Sequence, residues 1–376
     1  MKSLDLLVIA NDFEFLKTHR LDLLEYLNKE GLLISVLTDL ENISDKEKGI
    51  INNSDIAFRH YKFNRSSVNP ITNFVSLVKG FKAIRKRKPK SLFLISSKPI
   101  IFGGIASYLL NIKKTVFAIT GLGYLFINKD LNNGFIRFIV LKLYKLIFLH
   151  KGSKVIFQNE QDRDYFIKNK ILPTEKSIII QGNGIDTKVF SRQSVHQTNK
   201  VTFLFAGRLL IDKGINEFIQ ASTLINDQDV EFKIAGDIDL SNPKSLSSDE
   251  LDEIKYMDHI DYLGKVDYEE MKSIYNLANI FVLPSYREGM PKSALEAASC
   301  EMPLILTDVP GCKECVIESK NGFLVELKNV ESLVDKMNFF IQNRQKIASF
   351  GTASRKLIED KCSKEKIFVQ FKSIFI

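Results

Sequence analysis

The sequence predicts an α/β protein built from two doubly wound domains, each a parallel sheet covered by helices on both faces. Three observations carry this. Short apolar runs that read as near-continuous strands alternate with helical patterns. The alternation comes in two sets separated by a polar stretch. The length, 376 residues, is more than one compact core accommodates and enough for two. With 45% hydrophobic residues, 26% charged residues, 9 Pro and 19 Gly, the chain is ordinary globular protein, neither collagen-like nor disordered.

The first set of strands is LDLLVIA, LLISVLT, SLFLIS, TVFAIT, KVIFQN and SIIIQG. The stretch DTKVFSRQSVHQTNK, from Asp186 to Lys200, is polar and lacks apolar periodicity, and it reads as the linker. VTFLFAG, EFKIAGD, IDYLG, IFVLPS and PLILTD then form the second set. KCSKEKIFVQFKSIF at the carboxyl end reads as a helix. The expected organisation is a first domain over 1–185, a second over 200–355, and a helix over 356–376 packing back toward the first. Ligands of such sheets bind at the carboxyl ends of the strands, so two facing domains imply a cleft.

The net charge of +8 is unevenly placed. Residues 1–200 hold 32 basic and 17 acidic side chains, against 21 and 28 in residues 201–376, and residues 51–150 alone hold 17 basic and 2 acidic. That asymmetry calls for an anionic partner, nucleic acid or a membrane surface. All four cysteines, Cys300, Cys312, Cys315 and Cys362, lie in the back half. Only Cys312 and Cys315 have metal-like spacing, and without a second Cys pair or a His-x3-His they read as a loop beside Gly311. The amino terminus reads as a first strand, which puts the chain in the reducing cytoplasm. Apolar stretches at 92–110 and 135–149 are interrupted by Lys98, Arg137, Lys142 and Lys145 and are not membrane spans.

Two constellations carry chemistry. The strand VTFLFAG ends in Gly207 and Arg208, and Lys213 and Gly214 open the helix that follows. Glycines allow close backbone approach, a helix start favours anions, and two cations suit a diphosphate; taken alone, such a pair is equally surface charge. After IFVLPS come the loop YREGMP and the helix PKSALEAASC, with Pro291 in its first turn, Glu288 in the loop and Glu296 inside the helix. Eight helical residues span about 12 Å, roughly the length between the sugar and the ribose of a nucleotide sugar. An isolated Glu pair is as readily a counterweight to the helix dipole plus a solvated face. Here both constellations occur in order, about 80 residues apart, in one domain, and that conjunction favours a site. Three Asp-x-Asp triplets, starting at Asp162, Asp227 and Asp237, read as surface loops rather than metal sites.

At this point the chain resembles the retaining glycosyltransferases of GT-B fold, the glycosyl transferases group 1 or family 4, marked by a Glu-x7-Glu motif, here Glu288 to Glu296. Matching pieces are GNGID (Gly182 to Asp186), AGRLLIDKG (Ala206 to Gly214), YLGKVDYEEM (Tyr262 to Met271), PSYREGMPKSALEAASC (Pro284 to Cys300) and NGFLVE (Asn321 to Glu326). The resemblance implies that Arg208 and Lys213 neutralise the donor diphosphate without a metal or other cofactor. It implies that Glu296 binds the ribose hydroxyls, and that Glu288 with the amides of Gly289 and Met290 faces the donor sugar. Gly207, Gly264, Lys265, Lys292 and Ser293 complete the expected donor site.

The front half resembles the enzymes that extend a sugar on undecaprenyl diphosphate in O-antigen, capsule, lipopolysaccharide or protein-glycan assembly, through FNRSSVNP (Phe63 to Pro70), SSKPIIFGGIAS (Ser96 to Ser107) and ITGLGYLF (Ile119 to Phe126). Many relatives carry a Gly-Gly pair after the first strand and a His or acidic residue near the TGLG loop. Here NDFEFLKTHR has no Gly and Thr120 takes the later place. Thr120 and Gly121 are candidates near the donor sugar, and Asn11, His19 and Arg20 for phosphate or acceptor, His19 being equally a structural residue.

Residues 75–90, VSLVKGFKAIRKRKPK, put seven basic side chains on an apolar frame. In residues 135–149, Arg137, Lys142 and Lys145 fall within about 140° of helical arc, as in a membrane-surface helix or a buried helix with a charged edge. No zinc-finger, helix-turn-helix or RNP pattern supports nucleic acid. The expected function is transfer of a hexose or N-acetylhexosamine from a nucleotide diphosphate, UDP, to a lipid-linked sugar, by an enzyme peripheral on the inner face of the cytoplasmic membrane. The alternatives are a glycosyltransferase with a soluble acceptor and a non-catalytic two-domain sugar-binding protein.

Overall fold

A computed structural model describes residues 4–62, 70–121, 131–193, 200–240 and 242–376. The chain divides into two compact units, one of Met1–Ile180 with Phe368–Ile376, the other of Gln181–Ile367.

The first unit is a seven-stranded parallel sheet in the order β3-β2-β1-β4-β5-β6-β7. The strands are β1 Leu6–Asp12, β2 Ile34–Asp39, β3 Ala57–His60, β4 Ser91–Ile95, β5 Lys114–Ile119, β6 Ser153–Phe157 and β7 Ser177–Ile179. Every residue of β4 is buried, as expected for a strand covered by helices on both faces. The helices Pro70–Arg87, Ser97–Leu110 and Leu131–Phe148 lie side by side, the middle one packed on β1, β4 and β5. Gly103 and Gly104 permit this contact, because a Cβ there would sit 2.6 Å from Leu94 and 2.8 Å from Ile147. The last turns of the carboxyl-terminal helix Lys364–Phe375 join this core, with Phe93 against the rings of Phe371 and Phe375 at 5.9 and 5.3 Å and Tyr26 against Phe368 at 5.4 Å.

The second unit has six parallel strands in the order β10-β9-β8-β11-β12-β13. They are β8 Val201–Ala206, β9 Val230–Ala235, β10 Ile260–Gly264, β11 Ile280–Leu283, β12 Leu304–Thr307 and β13 Gly322–Val325. In both units the order reverses beside the first strand, the doubly wound arrangement whose switch point is a ligand crevice. β3 and β13 are additions to the strands read from sequence. β3 is an edge strand with one buried residue in four, so it lacks the continuous apolar run of its neighbours. The second unit begins ahead of the polar stretch because residues after Gln181 are tied into it. Ile185 N–H donates to Cys362 O at 2.9 Å, Phe190 is buried in the second core, and Arg355 donates to the carbonyls of Thr187 and Phe190 at 2.9 and 2.8 Å.

Candidate active site

At the switch point of the second sheet, the loops after β8 and β11 leave side by side. β8 runs into Gly207 and Arg208, a 3-10 turn Ile211–Lys213, and Gly214, which precedes the helix Ile215–Leu224. Gly214 has φ +78°, and a Cβ there would stand 2.1 Å from Pro284 O, so only glycine lets the two loops meet. The Asp212 carbonyl accepts from Tyr286 N–H at 2.8 Å and Ser285 Oγ at 3.0 Å. These ties bring Lys213 Nζ to 2.5 Å from Glu288 Oε1, a cation from one motif on the carboxylate of the other. Tyr286 is anchored beneath by its hydroxyl on Glu217 Oε1 at 2.7 Å, and burial first, then Glu217, raises its phenol well above the usual range.

Arg208 is half-exposed and donates through Nη1 to Asp239 Oδ2 at 2.9 Å. Asp239 follows β9, so the triplet beginning at Asp237 borders the site and is not merely a surface loop. Asp237 Oδ1 takes its own loop's Ile238 N–H at 2.8 Å and the Tyr262 hydroxyl at 3.4 Å, and burial, then Asp237, pushes that phenol up to about 12. Gly264, at φ +70° with open space where a Cβ would lie, ends β10 beside them and the exposed Lys265 follows it, with Gly236 N–H donating to Gly264 O at 2.8 Å.

The helix carrying the second motif spans Lys292–Ser299, with Pro291 in extended conformation at its N-cap rather than in the first turn. Glu296 is buried rather than solvated, at 4% exposure. Its Oε2 accepts from the Tyr275 hydroxyl at 2.9 Å, and its Oε1 lies 3.3 Å from Lys292 Nζ, which in turn sits 4.0 Å above the Tyr268 ring. Burial raises the Glu296 carboxyl above its ordinary range, opposed by Lys292 and then by the hydroxyls of Tyr275 and Tyr268. Ser293 is partly exposed at the helix start, while Met290 is buried in the core. From behind, Gly311 at φ +83° packs so closely that a Cβ would meet Glu288 O at 2.6 Å and Gly289 O at 2.5 Å.

Several expectations are corrected or relocated. Asp162 is buried in the first turn of the helix Glu160–Lys168, its amide held by Asn159 Oδ1 at 2.8 Å, so its triplet is not a surface loop. The four cysteines are buried free thiols, and burial raises Cys312 and Cys315 well above the usual range. In the first unit Arg20 is buried, 2% exposed with its guanidinium 5.2 Å from the Phe371 ring, and burial lowers it to about 10. His19 packs on Phe15 at 4.7 Å. β1 continues through Asn11 to Asp12, which caps the helix Phe13–His19 directly. The missing Gly-Gly pair thus corresponds to a strand that passes into a helix without a loop. Thr120 and Gly121 follow β5; residues 122–130 and 63–69, with most of two quoted motifs, lie outside the described residues. Tyr275 and Tyr286 are site residues that sequence reading did not single out, and Asp239 is the second carboxylate of a triplet it read as a surface loop.

Residues 186–357 match the family Glycosyl transferases group 1. The chain is 30% identical over 304 residues, 76% of each chain, to the N,N'-diacetylbacillosaminyl-diphospho-undecaprenol alpha-1,3-N-acetylgalactosaminyltransferase of Campylobacter jejuni. It is 25% identical over 286 residues, 72% of this chain and 71% of the other, to the UDP-Gal:alpha-D-GlcNAc-diphosphoundecaprenol alpha-1,3-galactosyltransferase of Escherichia coli. Among solved structures, Anabaena HepE in complex with UDP and glucose superposes with a TM-score of 0.78 at 15% identity over 98% of both chains, a likeness of GT-B fold.

Proposed function

The chain belongs to the group 1 glycosyl transferases, and from that premise we propose that it moves a hexose or N-acetylhexosamine from a UDP-sugar to a sugar on undecaprenyl diphosphate, with retention at the anomeric carbon and without a metal, in surface polysaccharide or glycan assembly. The observation that carries the reading is the junction of the two motifs, Lys213 on Glu288 at 2.5 Å with Arg208 on the same loop. Two cations beside a carboxylate suit a donor whose diphosphate gains negative charge while its sugar gains positive charge. The names of the Campylobacter and Escherichia relatives support the lipid-linked acceptor.

In this reading Arg208 and Lys213 hold the diphosphate, Glu296 accepts from the ribose hydroxyls, and Glu288 orients the sugar. The C1–O bond breaks with its electron pair passing to the departing phosphate oxygen. The acceptor hydroxyl attacks C1 from the same face and gives its proton to that oxygen, so no glycosyl-enzyme forms. The first unit supplies the membrane-facing surface. Its three adjacent helices expose Phe74, Val75, Tyr108, Leu109, Phe138, Ile139, Leu146 and nearby Leu149 among Lys79, Lys82, Arg85, Lys86, Lys142 and Lys145. Such a mixture suits an anionic bilayer from its cytoplasmic side; no helix among the described residues is long and apolar enough to cross it.

The test is a panel of nucleotide sugars against a synthetic undecaprenyl-diphosphate-linked sugar. UDP release that depends on the acceptor, with an axial-retained product by NMR, is expected. Transfer to soluble glycans alone, an inverted product, or binding of sugar without UDP release overturns the reading.

A further inference from the structure

Resting on the reading of Glu296 as the ribose-binding carboxylate, we propose that Tyr275 is a positioning residue for nucleotide recognition. Its hydroxyl holds Glu296 Oε2, which leaves Oε1, beside Lys292, to meet the ribose hydroxyls. Tyr275 lies on the helix Met271–Asn276, is fully buried, and donates to Oε2 at 2.9 Å. Its ring is fixed by Phe190 at 6.0 Å and Phe281 at 6.3 Å, so the hydroxyl is delivered by a rigid wall. Ionised, both oxygens accept, Oε2 from Tyr275 and Oε1 from the ribose hydroxyls; a proton on either would take one of those places. A buried carboxylate without donors would protonate instead.

The groups facing Glu296 are Lys292 and Cys300 along its own helix, Tyr275 from the helix before it, and Tyr268 from the preceding loop. The Cys300 thiol, pushed up to about 12 by burial and then by Glu296, stays neutral, and the Tyr275 phenol, raised well above its usual range by burial and Glu296, stays a donor. Glu296 is the group here whose charged form burial disfavours while its neighbours hold it. Burial already raises its carboxyl, so a falling pH protonates it before an ordinary glutamate. Removing the Tyr275 oxygen moves that loss to still higher pH.

The test is the affinity for UDP by calorimetry, from pH 5.5 to 9, for the parent and Tyr275→Phe. Phe keeps every ring contact and removes one hydrogen bond to the charged carboxylate, and a shift of one unit in its titration changes the ionised fraction, and with it the affinity, by about tenfold on the acid side. Expected is a loss of that size at the acid end of the range that closes to within about twofold at pH 9. Profiles that superpose, or a loss equal at every pH, overturn the proposal, the second outcome marking a merely structural tyrosine. Should Tyr275→Phe fail to fold, Lys292→Met serves as the second variant, with its midpoint expected to shift the same way. Difference infrared of the carboxyl band, assigned by its disappearance in Glu296→Gln, follows the ionisation directly. If Glu296→Gln binds UDP as the parent does, the ribose reading fails; if the Tyr275→Phe carboxyl titrates as in the parent, the Tyr275 role fails on its own.

Discussion

Three cations in the site each lie on a carboxylate, Lys292 on Glu296 among them, and the pairs of Arg208 and Lys213 differ in consequence. Arg208 with Asp239 is half-exposed, and such a pair contributes at most about 1 kcal/mol to folding; Lys213 with Glu288 is more enclosed. Arg208→Ala is therefore expected to leave the Tm within about 2 °C of the parent. It is expected to lower kcat by about 10²- to 10³-fold, the scale for losing one preorganised charge at a developing anion. Chelator is expected to leave turnover intact. Activity abolished by EDTA and restored by manganese, or an Arg208→Ala enzyme with normal kcat, would sink the metal-free proposal. Arg208, Lys213, Glu288 and Glu296 were legible because they sit at motif spacings along one strand-loop-helix unit each. The roles of Asp239, read as part of a surface-loop triplet, and of Tyr275 were not, because they reach their partners across 31 and 21 residues from neighbouring elements. Nothing local to either residue marks that contact.

At the scale of elements, the site is a stack of three loops after β8, β11 and β12, and its weak point is where they touch without side chains. Gly311 is such a point, with its α-carbon facing the carbonyls of Glu288 and Gly289. Gly311→Ala must leave a left-handed backbone or push the Glu288 loop away. We expect a loss of at least about 2 kcal/mol, seen as a drop of about 5 °C in Tm, together with weaker UDP binding. A variant of parental Tm and affinity would show that the loop after β11 tolerates displacement. The strands themselves were readable wherever both faces are covered, since burial on both sides writes an uninterrupted apolar run, as in β1 and β4. β3 escaped because an edge strand with Arg59 and His60 exposed has only a half-buried pattern. The unit boundary escaped because Ile185 and Phe190 dock on the helices near Cys362 and Arg355, a contact invisible in a stretch whose composition reads as linker.

For the molecule as a whole, the decisive quantity is where charge and exposed apolar surface coincide. Residues 51–150 hold 17 basic and 2 acidic side chains. The same region and the helix that closes it expose Phe74, Tyr108, Leu109 and Phe138. Charge alone would give adsorption that salt abolishes, because the screening length falls from about 10 Å at 0.1 M to about 3 Å at 1 M. Apolar side chains entering the interface add a part that salt does not screen. Replacing Arg85, Lys86, Arg87 and Lys88 by Ser is therefore expected to lower cosedimentation with anionic vesicles severalfold at low salt, each cation contributing about 1 kcal/mol. Activity on a lipid-linked acceptor should fall with it, while activity on a short-chain soluble analogue survives. The chain contains no Trp, so Phe138→Trp places a single fluorophore on the exposed face of the helix Leu131–Phe148. Its emission is expected to shift to the blue on anionic vesicles and to keep part of that shift at 1 M salt. A quadruple variant that cosediments as the parent does would reduce the basic run to a solvated face. Emission unmoved by vesicles would then remove this helix from the docking surface as well.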